Sequence, residues 1–217
     1  MVTQKIVSIF SHVKFSMEYN GGSLIVMSGK NCLAIASDLR FGLENFTSSC
    51  NTPKIFKIHQ KLFLGLTGLN GDILTVKQNL DFQSNIYEID NNKKINQIVF
   101  DNILSLLLYK NRFSPFFVDG ILLGLDKNDK PHITTTDVLG ALSYSSDFAV
   151  SGICSESLLG LCQTFWKPRM ASRELVETVS NCLCLATNRD CLSGWGGIVH
   201  VITHNGIITK IIKTRKD

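Results

Sequence analysis

Charge is scarce in this sequence. Of its 217 residues, 18% are Asp, Glu, Lys or Arg, against about 25% in an average soluble domain. Hydrophobic residues reach 44% and mean hydropathy is +0.13. That excludes intrinsic disorder, which needs low hydrophobicity and high charge, and it fits a chain that buries surface against partners. Long apolar runs are also missing. The greasiest segments, residues 103–109 and 120–125, fall short of the ~18 consecutive apolar residues of a membrane span. Residues 1–16 carry a short apolar run between Lys5 and Lys14, but not the longer run and small-residue cleavage site of a signal peptide. The expected location is therefore the cytoplasm or nucleus. No G-x-S-x-G, Walker A loop or H-E-x-x-H occurs, which removes the commonest hydrolase, nucleotide and zinc signatures. No internal linker, repeat or low-complexity segment interrupts the chain, and its length suits one large domain.

What is present narrows the reading further. The seven cysteines are odd in number and form no C-x-x-C, so neither a disulfide framework nor a zinc site is indicated. Most lie in apolar segments, where reduced cysteine acts as a small hydrophobe. The five histidines, at positions 12, 59, 132, 200 and 204, have no ligand spacing, so no metal or cofactor is expected. The net charge of +4 owes much to Lys210, Lys213, Arg215 and Lys216 near the C-terminus. No basic stripe interleaved with aromatics accompanies them, so nucleic acid is not an expected partner.

Two β-rich runs, 23–27 and 32–37, flank a Ser-Gly-Lys-Asn turn and predict a hairpin. A second strand pair is expected at 54–58 and 62–67. Apolar stripes at helical spacing follow, through Leu69, Ile73, Val76, Leu80 and Tyr87, and again through Ile98, Ile103, Leu106 and Leu107. Strands return at 120–125, 132–136 and 147–151. Two more helices follow, with Ser155 and Ser172 as expected N-caps, and a hairpin over 198–203 and 207–212 closes the chain. Antiparallel strands with helices in pairs predict an α+β fold of two stacked sheets covered on both outer faces by helix pairs. Residues 1–20 are expected to form an extension, and 21–217 the single domain.

The polar residues at strand ends carry the chemical signal. Gly21-Gly22 precedes the first strand, Asp38 ends the second, Lys54 opens the third, Gly68 follows the fourth, and Asp190, Ser193 and Gly194 make a D-x-x-S-G after the last helix. With them stand Tyr19-Asn20-Gly21-Gly22, Gly29-Lys30-Asn31-Cys32, Pro53-Lys54-Ile55-Phe56, Gly65-Leu66-Thr67-Gly68-Leu69 and Tyr109-Lys110-Asn111-Arg112-Phe113. Together these segments resemble proteasome beta subunits, members of the N-terminal nucleophile hydrolases, and most of all the type-3 beta subunits of the eukaryotic 20S core.

The resemblance implies the four-layer αββα sandwich of that fold. In active members a threonine becomes the N-terminus once a propeptide is cut, and its own amine serves as base. An acidic residue and a lysine support it at successive intervals of sixteen, and a glycine amide helps to form the oxyanion hole. Here Asp38 and Lys54 keep that interval, Gly68 matches the oxyanion glycine, and Ser151, Asp190 and Ser193 match the surrounding polar residues. Sixteen positions before Asp38 stands Gly22, which has no side chain to attack with. The resemblance thus implies a non-catalytic beta subunit whose supporting residues are vestigial. It would serve ATP- and ubiquitin-dependent protein degradation as part of a threonine protease complex. The alternative is an active N-terminal serine hydrolase, cut between Gly22 and Ser23. It places its hydroxyl fifteen rather than sixteen residues before Asp38, on the other face of the strand. An alpha-ring subunit would need an N-terminal motif of aromatic, Gly and Arg residues that 1–18 lacks.

Implied partners are type-2 and type-4 beta neighbours in a seven-membered ring, the alpha ring and the opposite beta ring. Asp137 matches an acidic residue that lines the pocket of the neighbouring trypsin-like subunit. Ala141 stands where relatives often have cysteine. Asp217 matches an acidic C-terminus that contacts the opposite ring, directly or through a cation.

Overall fold

The computed structural model describes residues 20–126, 129–204 and 206–216. Asp217, with its expected cation contact, and residues 1–19 of the expected extension lie outside the described residues.

Twelve strands and four helices are formed among the described residues. The strands are β1 (Ser23–Gly29), β2 (Cys32–Asp38), β3 (Phe41–Leu43), β4 (Phe46–Ser49), β5 (Ile55–His59), β6 (Leu62–Gly68), β7 (Val118–Leu125), β8 (Pro131–Thr136), β9 (Leu142–Ser145), β10 (Phe148–Gly152), β11 (Gly197–Thr203) and β12 (Gly206–Ile212). The helices are α1 (Asn70–Asn91), α2 (Gln97–Lys110), α3 (Ser155–Phe165) and α4 (Ser172–Thr187). One antiparallel sheet has the order β10-β1-β2-β11-β12 and the other β5-β6-β7-β8-β9, with β3-β4 as a separate hairpin.

The layers follow from the strand period. On β1, Leu24 and Val26 pack with Phe63, Ile121 and Leu123 between the two sheets. Ile25 and Met27, on the opposite face, pack beneath α3 and α4 with Leu158, Leu175 and Val179. Leu62, Leu64 and Leu66 of β6 meet Ile73, Val76 and Leu80 of α1 and Phe100 and Leu104 of α2. Strands buried on both faces read as continuous apolar runs rather than alternating ones, as Leu24-Ile25-Val26-Met27 does. The result is the expected four-layer αββα sandwich.

Local chemistry sets the boundaries. Asn96 caps α2, its side chain accepting from the Val99 amide at 2.9 Å. Asn92, at φ 50°, ends α1 in the left-handed region that asparagine tolerates. Ser155 and Ser172 are not caps, contrary to expectation. They are the first helical residues, behind Cys154 and Ala171, and neither helix has a side-chain cap. Cys154 is held elsewhere, in a buried polar cluster described below. The β3-β4 hairpin and β9 were not expected either. Both are short and half exposed, so they lack the apolar runs by which the long strands are read.

Candidate functional site

The two-residue turn between β1 and β2 sets Leu24 opposite Ser37. One step further, this register puts Asp38 across from Ser23. The Ser23 amide donates to Asp38 Oδ1 at 2.8 Å, and the Gly194 amide donates to Asp38 Oδ2 at 3.2 Å. Lys54, just before β5, reaches the same carboxylate: its Nζ lies 2.7 Å from Asp38 Oδ1. Lys54 Nζ also donates to the Arg40 carbonyl at 2.7 Å and the Asp38 carbonyl at 3.4 Å. Asp38 is 0% exposed and Lys54 6%. The structure therefore brings Asp38, Lys54 and Gly194 together at the head of β1.

Gly22 stands at that head, at φ 117°. Strand alternation turns position 22 toward the face of Leu24 and Val26, between the sheets. A Cβ there would lie 2.6 Å from Lys54 Cε and 3.0 Å from Lys54 Nζ. The volume in which a nucleophile's side chain would begin is thus filled by the lysine. Ser23 faces the other way, toward the helices with Ile25 and Met27. Its hydroxyl is buried, and the three Lys54 Nζ contacts go to Asp38 and Arg40, not to it. This geometry gives no support to the Ser23 nucleophile.

Asp190 and Ser193 form a second cluster with Cys154, which sequence reasoning did not single out. Ser193 Oγ donates to Asp190 Oδ2 at 2.5 Å, and Cys154 Sγ donates to the same oxygen at 3.1 Å. Burial, reinforced by the Asp190 carboxylate, pushes the Cys154 thiol up to about 12. Cys154 therefore stays a protonated donor and supplies neither thiolate nucleophile nor base. Ser151 is apart from this cluster, its hydroxyl 2.5 Å from Thr67 Oγ1 across the two sheets. Gly68 ends β6 at φ 125°, where a Cβ would lie 2.2 Å from the Phe117 carbonyl oxygen, so only glycine fits.

Two further residues close the site. Asn20, at the end of the expected extension, is 6% exposed. Its side chain donates to the Gly42 carbonyl at 3.1 Å and accepts from the Asn70 amide at 2.9 Å, two residues beyond Gly68. The Gly22 carbonyl accepts from the Ile153 amide at 2.9 Å. The chain upstream of β1 is thereby tied down at both ends of Asn20-Gly21-Gly22. Arg40 is 0% exposed and donates to the Leu192 carbonyl, the Glu44 carbonyl and Thr47 Oγ1, bracing the loop that carries Ser193. A lone arginine at a strand end gives no sequence signal for this.

Asp137 lies in the β8–β9 turn. Its Oδ1 accepts from the Leu139 amide at 3.0 Å and the Ala141 amide at 2.7 Å. Among the described residues nothing donates to its Oδ2. The residue thus caps its turn with one oxygen and presents the other outward. No group of three or more His, Cys, Asp or Glu side chains among the described residues converges to hold a metal.

Comparison with known proteins adds two findings. The family model described as "Proteasome subunit" matches residues 18–202. The chain is 44% identical over 200 residues to "Proteasome subunit beta type-3" of Picea mariana, covering 92% of this chain and 98% of that protein. It is 43% identical over 202 residues to "Proteasome subunit beta type-3" of Dictyostelium discoideum, covering 93% and 98%. A "Probable proteasome subunit beta type-3" of Schizosaccharomyces pombe is 40% identical over 201 residues, with the same two coverages.

Proposed function

The chain belongs to the proteasome subunit family, and from that premise we propose that it is a non-catalytic beta subunit of the 20S core, acting in ring assembly and in shaping a neighbour's substrate pocket. One observation carries this reading. Sixteen residues before Asp38, where the resemblance puts the nucleophile, stands Gly22 with no side chain, and a Cβ there would lie 2.6 Å from Lys54 Cε. The Asp38–Lys54 pair then has a structural role. It holds the ends of β1 and β2 and, through Gly194, the loop after α4. A buried ion pair of this kind is close to neutral in net energy but costly to break on one side.

The chain assembles with other proteasome subunits. The finer arrangement proposed is a seven-membered ring with type-2 and type-4 neighbours, packed against an alpha ring and an opposite beta ring. Large apolar side chains exposed on several separate elements support burial on many sides. Phe113 is 88% exposed after α2, Phe46 82% on β4, Ile89 73% on α1 and Ile211 73% on β12.

Asp137 is the residue proposed to line the neighbouring trypsin-like pocket. Its outward carboxylate favours cationic side chains of substrate, by about 1 kcal/mol or less at a solvated rim. Asp137→Ala in assembled particles is expected to slow cleavage after basic residues by up to about fivefold, leaving the other peptidase activities unchanged. An equal fall in all activities would indicate an assembly defect and defeat the pocket role.

A further inference from the structure

Asp137 has a companion. Asp119 lies on β7, which pairs with β8 through Gly120 opposite Thr136. One step along, Asp137 is the first residue past β8, near enough for its charge to act on Asp119. No lysine or arginine offsets the pair: among the described residues no hydrogen bond or ion pair reaches the Asp119 side chain. Both aspartates line a cavity of about 410 Å³, walled also by Thr136, Ser143, Ser151 and Ser155, and they are the charged residues in that wall.

A carboxylate pair kept without an internal counterion, in a cavity open to solvent, suits a cation arriving from outside. Building on the pocket role proposed for Asp137, we propose that Asp119 is a second specificity-determining carboxylate of the same pocket, and that its charge state sets how strongly the pocket holds a cationic substrate side chain. The occupant is the Lys or Arg side chain of a polypeptide bound to the neighbouring subunit. Burial, and then the Asp137 charge, raises the Asp119 carboxyl to about 6. The proton is therefore retained in acid and lost as pH rises through that value. Below about pH 6 Asp119 brings no charge to the pocket, and above it Asp119 adds one negative charge. Lys and Arg stay cationic throughout, so discrimination in favour of basic side chains rises with pH.

Assembled particles carrying the wild-type chain, Asp119→Asn, Asp119→Glu or Asp137→Asn test this. They are assayed from about pH 5 to 8, a range that brackets the Asp119 titration, on matched peptides with arginine or its neutral isostere citrulline at the position read by the pocket. Taking the ratio of the two kcat/KM values cancels the titration of the neighbour's own catalytic groups. In the wild type, this ratio is expected to rise about three- to tenfold as Asp119 ionises, mainly through KM. Asp119→Asn flattens the rise and Asp119→Glu keeps it. Asp137→Asn lowers the ratio at high pH and moves the midpoint to more acid pH, because the Asp137 charge no longer opposes ionisation of Asp119. A wild-type rise persisting in Asp119→Asn overturns the inference, as does an unmoved midpoint in Asp137→Asn. The latter readout holds even if Asp119 variants fail to assemble. If Asp137→Asn lowers the ratio while Asp119→Asn behaves as wild type, the pocket role survives and Asp119 is not part of it. If neither variant changes the ratio at any pH, the pocket role itself fails.

Discussion

Asp38→Asn is expected to remove most of this subunit from assembled particles. The carboxylate accepts from the Ser23 amide, the Gly194 amide and Lys54 Nζ, all buried. Asparagine keeps one acceptor and turns the other into a donor, facing either the Gly194 amide or the Lys54 ammonium. Lys54 then remains buried with its charge unpaired. Breaking a buried pair from one side costs about 3–5 kcal/mol, a large share of the ~5–15 kcal/mol by which a domain is stable. Coexpression of the variant with tagged wild-type chain reads the outcome as the ratio incorporated into particles, expected to fall to about a tenth or less. Asp38→Asn combined with Lys54→Met removes the stranded charge and should recover a good part of the loss. Incorporation of the single variant at wild-type level would mean that the pair does not hold the strand ends together.

Gly22→Thr is expected to create no peptidase. A threonine there restores the hydroxyl at the interval of sixteen before Asp38, so by spacing alone it should revive the site. The geometry opposes it. The new Cβ would lie 2.6 Å from Lys54 Cε, and that side chain is pinned at its tip by Asp38 and Arg40. The uncut chain would also hold a β-branched residue at φ 117°, in a region reserved almost wholly for glycine. Relief requires the Lys54 side chain to shift, and the positive φ adds backbone strain, so the substitution should cost about 1–3 kcal/mol. A covalent probe for N-terminal nucleophiles is expected to leave the variant chain unlabelled. Labelling on the introduced hydroxyl would show that only this group had been missing.

Much of this was legible before the fold. The β1-β2 hairpin could be read because a short Gly- and Asn-bearing turn separates two apolar runs, and a two-residue turn fixes register. That register is also why Asp38 falls opposite Ser23, so the interval from Gly22 to Asp38 already carried geometric meaning. The direction of Ser23 followed from the strand period alone. What could not be read depends on elements distant in sequence. Nothing near Arg40 announces that its guanidinium reaches the Leu192 carbonyl, 152 positions away. Cys154 read as one more small hydrophobe, because its partners Asp190 and Ser193 arrive from beyond α4. The Asp119–Asp137 pair was hidden for the same reason. The two residues are eighteen positions apart in sequence, and only the β7-β8 pairing brings them near each other. The filling of the Gly22 position by Lys54 was hidden as well, since spacing places a lysine near a site without saying which volume its methylenes occupy.

The most direct test of a glycine in the nucleophile's place is the intact mass of this chain from purified particles, measured before and after treatment with a covalent probe for N-terminal nucleophiles. A mass that includes residues upstream of Gly22 and does not change with the probe is expected. A chain beginning at Ser23, or one that gains the mass of the probe at its N-terminus, would contradict it.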